Sequence, residues 1–186
     1  TRIVQVLPAA SKGDVTIKNA NPYHLSAVIQ ALEDSGANVD VTGETIRIIM
    51  DDDPQPVDIT TAPYPGYPTD AQAQWAAYML VAKGAATITD HIYPTRFGYV
   101  PELMRLGADI ETGEGSIVVR GGSKLSGATV MSADLRASAC LVIAALMAEG
   151  QSEILRVYHI DRGYESIEKR LAALGASIKR EQTEEF

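Results

Sequence analysis

Cysteine is nearly absent from this chain. Cys140 is the single one in 186 residues, so no intrachain disulfide can form and a reducing compartment fits. Histidine is almost as scarce: His24, His91 and His159 lack the spacing of metal ligands, and without a Cys/His cluster no zinc-type site is expected. Positive charge is also in deficit. Lys and Arg number 16 against 24 Asp and Glu, a formal net charge of −8. A general binder of nucleic acid or of anionic membrane needs the opposite balance, so an anionic ligand here requires positive charge gathered locally. The longest apolar run, Ala139 to Ala148, falls short of the roughly 20 residues that span a bilayer. The N-terminus shows no basic region followed by an apolar stretch, so no signal peptide is expected and the cytoplasm is the default compartment. Neither a Gly-x-Gly-x-x-Gly nor a Walker-type phosphate loop occurs. Low-complexity runs are missing too, and 46% apolar residues are enough for a real core of one ordinary domain.

What is present is a repeat. Ser35-Gly36-Ala37, Leu106-Gly107-Ala108 and Leu174-Gly175-Ala176 recur with glycines 71 and 68 residues apart. Each follows an amphipathic helical pattern: Leu25, Val28, Ile29 and Leu32 first, then Tyr99, Leu103 and Leu106, then Ile167, Leu171 and Leu174. The glycine is expected to end each helix in the left-handed conformation. Strands are predicted after it at Asn38–Val41, Asp109–Glu111 and Ser177–Lys179, with second strands at Thr45–Ile49 and Ser116–Arg120 closing hairpins in the first two units. Upstream, Lys12-Gly13, Lys83-Gly84 and Glu149-Gly150 form a second repeated mark, followed by strands at Asp14–Lys18, Ala86–Thr89 and Ser152–Arg156. Before that mark lie helices Ala71–Lys83 and Leu135–Glu149, apolar on nearly all sides and so expected to be buried all round. Strands Val57–Thr61 and Ala128–Ser132 precede them. Unit one opens with a matching strand, Arg2–Leu7, but passes from Pro8 to Ser11 with no inner helix, a deficit of roughly a dozen residues. Whether the natural protein lacks this helix or the chain has been shortened stays open. The units span about residues 1–50, 51–121 and 122–186 of one α/β domain. Pseudo-threefold packing follows, with inner helices inside and sheets outside.

Candidate chemistry clusters at the starts of the inner helices. Three prolines rigidify Thr61 to Gln74 before its helix, with Thr69 as the expected N-cap and Asp70 in the first turn. Asp70 either complements the helix dipole or stands as a fixed carboxylate able to take a hydroxyl proton; on spacing alone the dipole reading is favoured. Asp134 and Arg136 hold the equivalent place before Leu135–Glu149, either as a capping pair or as site residues. Two helix N-termini at one end of the domain suit a phosphate or carboxylate. The loops Ile92–Phe97 and Tyr158–Tyr164, repeat-equivalent between strand and outer helix, add Arg96 and Arg162. Three arginines at such loops supply the local positive charge that the whole lacks. Cys140, inside an apolar helix, reads as a small core residue.

The run Thr61 to Gln74, with Pro68-Thr69-Asp70, resembles the signature region of UDP-N-acetylglucosamine 1-carboxyvinyltransferases. So do Leu125-Ser-Gly-Ala with Asp134-Leu-Arg-Ala-Ser138, and His159-Ile-Asp-Arg-Gly-Tyr-Glu165. The resemblance covers essentially the whole chain. It implies one lobe of a two-lobed enzyme of cell-wall precursor synthesis, the lobe being an inside-out α/β prism of three repeats. That enzyme moves enolpyruvate from phosphoenolpyruvate to the 3-hydroxyl of UDP-N-acetylglucosamine and needs no cofactor. It further implies Asp70 as the acid/base, Ile92 as a backbone contact to the nucleotide sugar, and Arg162 on the phosphoenolpyruvate side. Asp134 and Arg136 would line the cleft, and Arg96 matches a cleft arginine. Departures are Pro94 and Thr95, where an acidic residue and Asn are usual, and Tyr99 in place of a common His. Cys140 does not match the family's catalytic cysteine, which belongs with a lysine to the other lobe. The chain alone is therefore expected to be inactive, leaving a nucleotide-sugar binding module or an excised fragment without activity as alternatives.

Overall fold

The computed structural model describes residues 12–181. The strand expected at Arg2–Leu7 and the gap after Pro8 lie outside the described residues. Nine strands and six α-helices follow among those described. Strand β1 (Asp14–Ile17), helix α1 (Ser26–Asp34), β2 (Asn38–Thr42) and β3 (Thr45–Ile49) make unit one. The second unit comprises β4 (Ile59–Thr61), α2 (Gln72–Met79), β5 (Ala85–Asp90), α3 (Val100–Arg105), β6 (Asp109–Gly113) and β7 (Ser116–Arg120). In the third are β8 (Thr129–Met131), α4 (Leu135–Met147), β9 (Glu153–Leu155), α5 (Tyr158–Asp161) and α6 (Ile167–Ala173).

The repeated glycines do the same work three times. Gly36, Gly107 and Gly175 sit at φ of 96°, 97° and 97°, a region costly to any residue with a Cβ. In each case the next alanine donates its N–H back to a leucine five residues earlier: Ala37 to Leu32 at 3.0 Å, Ala108 to Leu103 at 3.1 Å and Ala176 to Leu171 at 3.0 Å. That is the Schellman closure, which satisfies the orphan carbonyls of the last helical turn. Links between units repeat as well. Gln55 N–H donates to Ser35 O and Ser126 N–H to Leu106 O, both at 2.9 Å.

Sheet order is β4-β5-β7-β6 in the middle unit, with β4 and β5 parallel and the rest antiparallel. Unit one shows β1-β3-β2 and unit three the parallel pair β8-β9. The strand expected at Ser177–Lys179 does not form. Its counterparts β2 and β6 each pair with the next strand of a hairpin, and unit three offers no such partner among the described residues, so the ladder bonds that define a strand have nowhere to go.

The core lies between the sheets and is built on α2 and α4, which pack against each other. Every residue of α2 is buried. Alanines at 73, 76 and 77 and at 137, 139 and 144 let the two backbones approach. Trp75 fixes the centre: its side chain has no exposed surface, its rings meet Tyr67 and Tyr78 edge-on at 5.8 and 5.2 Å, and its indole N–H donates to Val57 O at 3.1 Å. Both inner helices stop earlier than their apolar patterns suggest. α2 ends at Met79, and the following residues turn back to the segment that opens unit two, where Lys83 N–H bonds Pro54 O at 2.8 Å. α4 ends at Met147, and Glu149 N–H makes the matching bond to Leu125 O at 2.9 Å.

Candidate active site

The first turns of the two inner helices meet at one carboxylate. Asp70 lies in a 3-10 turn, Thr69–Ala71, that leads into α2. Its Oδ1 accepts Nε–H of Arg136 at 2.5 Å and Nη1–H of Arg96 at 3.2 Å. Arg136 comes from the first turn of α4, and Arg96 from the loop after β5. Asp70 is 41% exposed at its side chain against 18% for Arg96 and 33% for Arg136, so the cluster faces solvent while its arginines are partly sheltered. Charge-assisted bonds in such a setting are stronger than those of exposed pairs.

Each arm of the cluster is held from behind. The Arg136 backbone N–H donates to Oδ1 of Asp134 at 2.7 Å, and so does Ala137 N–H at 2.9 Å. Asp134 is thus the N-cap of α4, with extended backbone at φ −157°. The capping pair considered from sequence is therefore half right: Asp134 caps alone, and the Arg136 guanidinium turns to Asp70. The expectation for Thr69 also needs correction. Ala71 is the N-cap residue of α2 and Pro68 that of the 3-10 turn before it, neither with a side-chain capping bond. The Thr69 hydroxyl donates instead to Oδ2 of Asp90 at 2.6 Å and accepts Nη1–H of Arg96 at 3.0 Å. Arg96 also lies over the Tyr93 ring, its Cζ 3.9 Å from the centroid. Gln72 holds the same loop, donating to Arg96 O at 2.8 Å while accepting the Tyr99 hydroxyl at 2.7 Å. Tyr99 is thus a buried support behind the site.

Asp90 is the residue that sequence reasoning missed. It ends β5, is fully buried, and its Oδ1 accepts the Thr61 hydroxyl at 2.7 Å, Ile92 N–H at 2.9 Å and Tyr93 N–H at 2.8 Å. Burial alone would push its carboxyl pKa up; bonds from Thr61, Thr69, Tyr93 and Ile92 outweigh that and hold it below the usual carboxylate range. The one signal available was the paired register of Thr61 and Asp90 on parallel strands, which a single sequence does not display. With its N–H held by Asp90, Ile92 presents only its carbonyl and side chain from an exposed position.

Arg162 is exposed at the C-cap of α5, outside the Asp70 cluster. It is nonetheless tied to the same helix end. A Cβ on its neighbour Gly163 would lie 2.9 Å from Leu135 Cδ2, so the absence of a side chain lets this loop rest on the first turn of α4. The loop is more ordered than expected, because residues 158–161 form a short helix. Cys140 is buried in α4, and burial followed by the charge of Asp134 pushes its thiol pKa up, which agrees with a core role. Among the described residues no group of three His, Cys, Asp or Glu side chains could hold a metal, and no helix is long and apolar enough to cross a membrane.

The arrangement can do two things chemically. Guanidinium groups and helix N-termini can hold phosphate or carboxylate oxygens, and a fixed carboxylate beside them can accept a hydroxyl proton.

Residues 4–171 match the family model described as EPSP synthase (3-phosphoshikimate 1-carboxyvinyltransferase). The UDP-N-acetylglucosamine 1-carboxyvinyltransferase of Chlorobaculum parvum is 53% identical over 178 residues, and that of Chlorobium chlorochromatii is 51% identical; both alignments cover 96% of this chain. The chain spans 42% of the length of these relatives. Among solved structures, the enolpyruvyl transferase NikO from Streptomyces tendae superposes with a TM-score of 0.85 at 25% identity, covering 96% of this chain and 42% of its own. An EPSP synthase from Acinetobacter baumannii shares the fold at a TM-score of 0.73 and 17% identity, covering 97% and 42%.

Proposed function

The chain belongs to the EPSP synthase family, and from that premise we propose that it is one lobe of an enzyme transferring enolpyruvate from phosphoenolpyruvate to the 3-hydroxyl of UDP-N-acetylglucosamine. The observation that carries this is the convergence of Asp70, Arg96 and Arg136 where α2 and α4 begin. Relatives at about half identity bear the corresponding name. The reaction serves peptidoglycan precursor synthesis in the cytoplasm.

In this reading Asp70 engages the sugar hydroxyl and takes its proton as the sugar oxygen bonds to the enolpyruvyl carbon. As that bond forms, the carbon–carbon double bond opens and its methylene carbon takes up a proton from solvent. Loss of a proton from the same carbon then restores the double bond as the carbon–oxygen bond to phosphate breaks and phosphate leaves. Arg136 and Arg96 offset the charge of the two anionic substrates and keep the Asp70 carboxylate in place. Ile92 holds the nucleotide sugar through its carbonyl, Asp134 keeps Arg136 in register, and Arg162 faces the phosphoenolpyruvate side. No cofactor is needed. A second lobe supplies the opposite wall, so these 186 residues bind without turning over.

Isothermal titration tests this. Saturable heat with UDP-N-acetylglucosamine is expected, weakened at least about tenfold by Arg136→Met, since a hydrogen bond to a charged group is worth about that much. No heat at millimolar ligand would overturn the assignment. Phosphate release by this chain alone would overturn the claim that half the cleft is elsewhere.

A further inference from the structure

We propose that Asp90 is a positioning residue for this site, acting on Arg96 through the hydroxyl of Thr69. It makes no hydrogen bond to Asp70, Arg96 or Arg136 and touches Ile92 only at its backbone N–H; its effect on Arg96 is relayed. The chain of contacts runs from Asp90 Oδ2 to Thr69 Oγ1 at 2.6 Å and on to Arg96 Nη1 at 3.0 Å. Its direction is set by chemistry. A carboxylate can only accept, so the Thr69 hydroxyl must donate to Asp90. That turns the hydroxyl lone pairs to the guanidinium, which can only donate. A buried carboxylate polarises the hydroxyl and strengthens the second bond.

The other oxygen of Asp90 sets the rest of the loop, through Thr61 and the N–H groups of Ile92 and Tyr93. Tyr93 in turn lies under Arg96. One buried carboxylate therefore joins the Thr69–Asp70 turn to the Ile92–Arg96 loop. Burying it is costly unless all its acceptor sites are filled, and every donor that fills them comes from a segment bordering the site. An asparagine at 90 would still fit, but its amide can present N–H to Thr69, reversing the hydroxyl and setting its hydrogen against Arg96.

The test compares Asp90→Asn, Thr69→Val and Thr69→Ser with the wild-type chain. The first readout is the phenylglyoxal modification rate of each arginine, followed by peptide mass mapping. It does not depend on any substrate assignment. Arg96 should react about tenfold faster in D90N and T69V, and T69S should restore the wild-type rate. Arg136 and Arg162 are internal controls that should change by less than about twofold. T69V keeps the Oδ1 bonds intact, so it isolates the relay even where D90N fails to fold. The second readout is affinity for UDP-N-acetylglucosamine, which rests on the function proposed above and should fall in D90N and T69V and return in T69S. An unchanged Arg96 rate in T69V, an equal rise in all three arginines, or no rescue by serine overturns the relay. Absence of binding by wild type overturns the substrate assignment alone, with the Arg96 rates still deciding the role of Asp90.

Discussion

Replacing Asp134 by alanine removes the only side-chain cap found on α4, and the structure lets the cost be worked out. Two N–H groups, of Arg136 and Ala137, lose their acceptor at 2.7 and 2.9 Å. Loss of an aspartate N-cap costs about 1 kcal/mol. Removing a negative charge from the helix N-terminus adds about 0.3–1 kcal/mol, toward the low end because Asp134 is exposed. The sum is about 1.5 kcal/mol, or a fall in Tm of about 3–6 °C for a chain of this size. Asparagine keeps the acceptor and loses only the charge, so D134N should fall by about 1–2 °C. Calorimetry gives the Tm values, and urea titration with an unchanged slope confirms that stability itself has moved. A D134A protein melting within about 1 °C of wild type, or D134N melting as low as D134A, would refute the capping account.

Three further outcomes are expected. Trp75→Ala should lose about 3–5 kcal/mol in urea unfolding, because Trp75 is wholly enclosed and bonded to Val57 O; Trp75→Phe should lose less. Gly121→Ala should be more harmful than an ordinary surface substitution, since its Cβ would lie 2.1 Å from Ala82 O and force apart the bond from Gly121 N–H to Gly84 O; a Tm unchanged from wild type would contradict this. The Asp90 carboxyl is held below its unfolded value of about 3.9. Its contribution is then complete above that value and is lost as pH falls through the lower folded one. The stability gap between wild type and D90N should be constant above about pH 5 and shrink on acidification, and urea titrations at several pH values would show it.

What could be read in the sequence was local. The glycine closures needed only a leucine five residues before the alanine, so Gly36, Gly107 and Gly175 carried their own conformation and exposed the repeat. Asp70, Arg96 and Arg136 were legible as candidates because repeat equivalence put them at one end of the domain. Their contact was not: Asp70 and Arg136 are 66 residues apart, and the competing partner Asp134 lay two residues away. Asp90 was missed for a related reason. Its donors come from a strand, the Thr69 turn and the loop after β5, and a lone aspartate ending a strand looks like any turn residue. Ser177–Lys179 failed in the opposite sense, since its pattern suited a strand but pairing depends on a neighbour that local pattern cannot supply.

In the proposed function the Asp70, Arg96 and Arg136 cluster binds the nucleotide sugar. Amide chemical-shift mapping of the chain during titration with UDP-N-acetylglucosamine should show saturable shifts concentrated at Thr69–Asp70, Ile92–Arg96 and Asp134–Arg136. Shifts confined to other surfaces, or none at saturating ligand, would contradict that assignment.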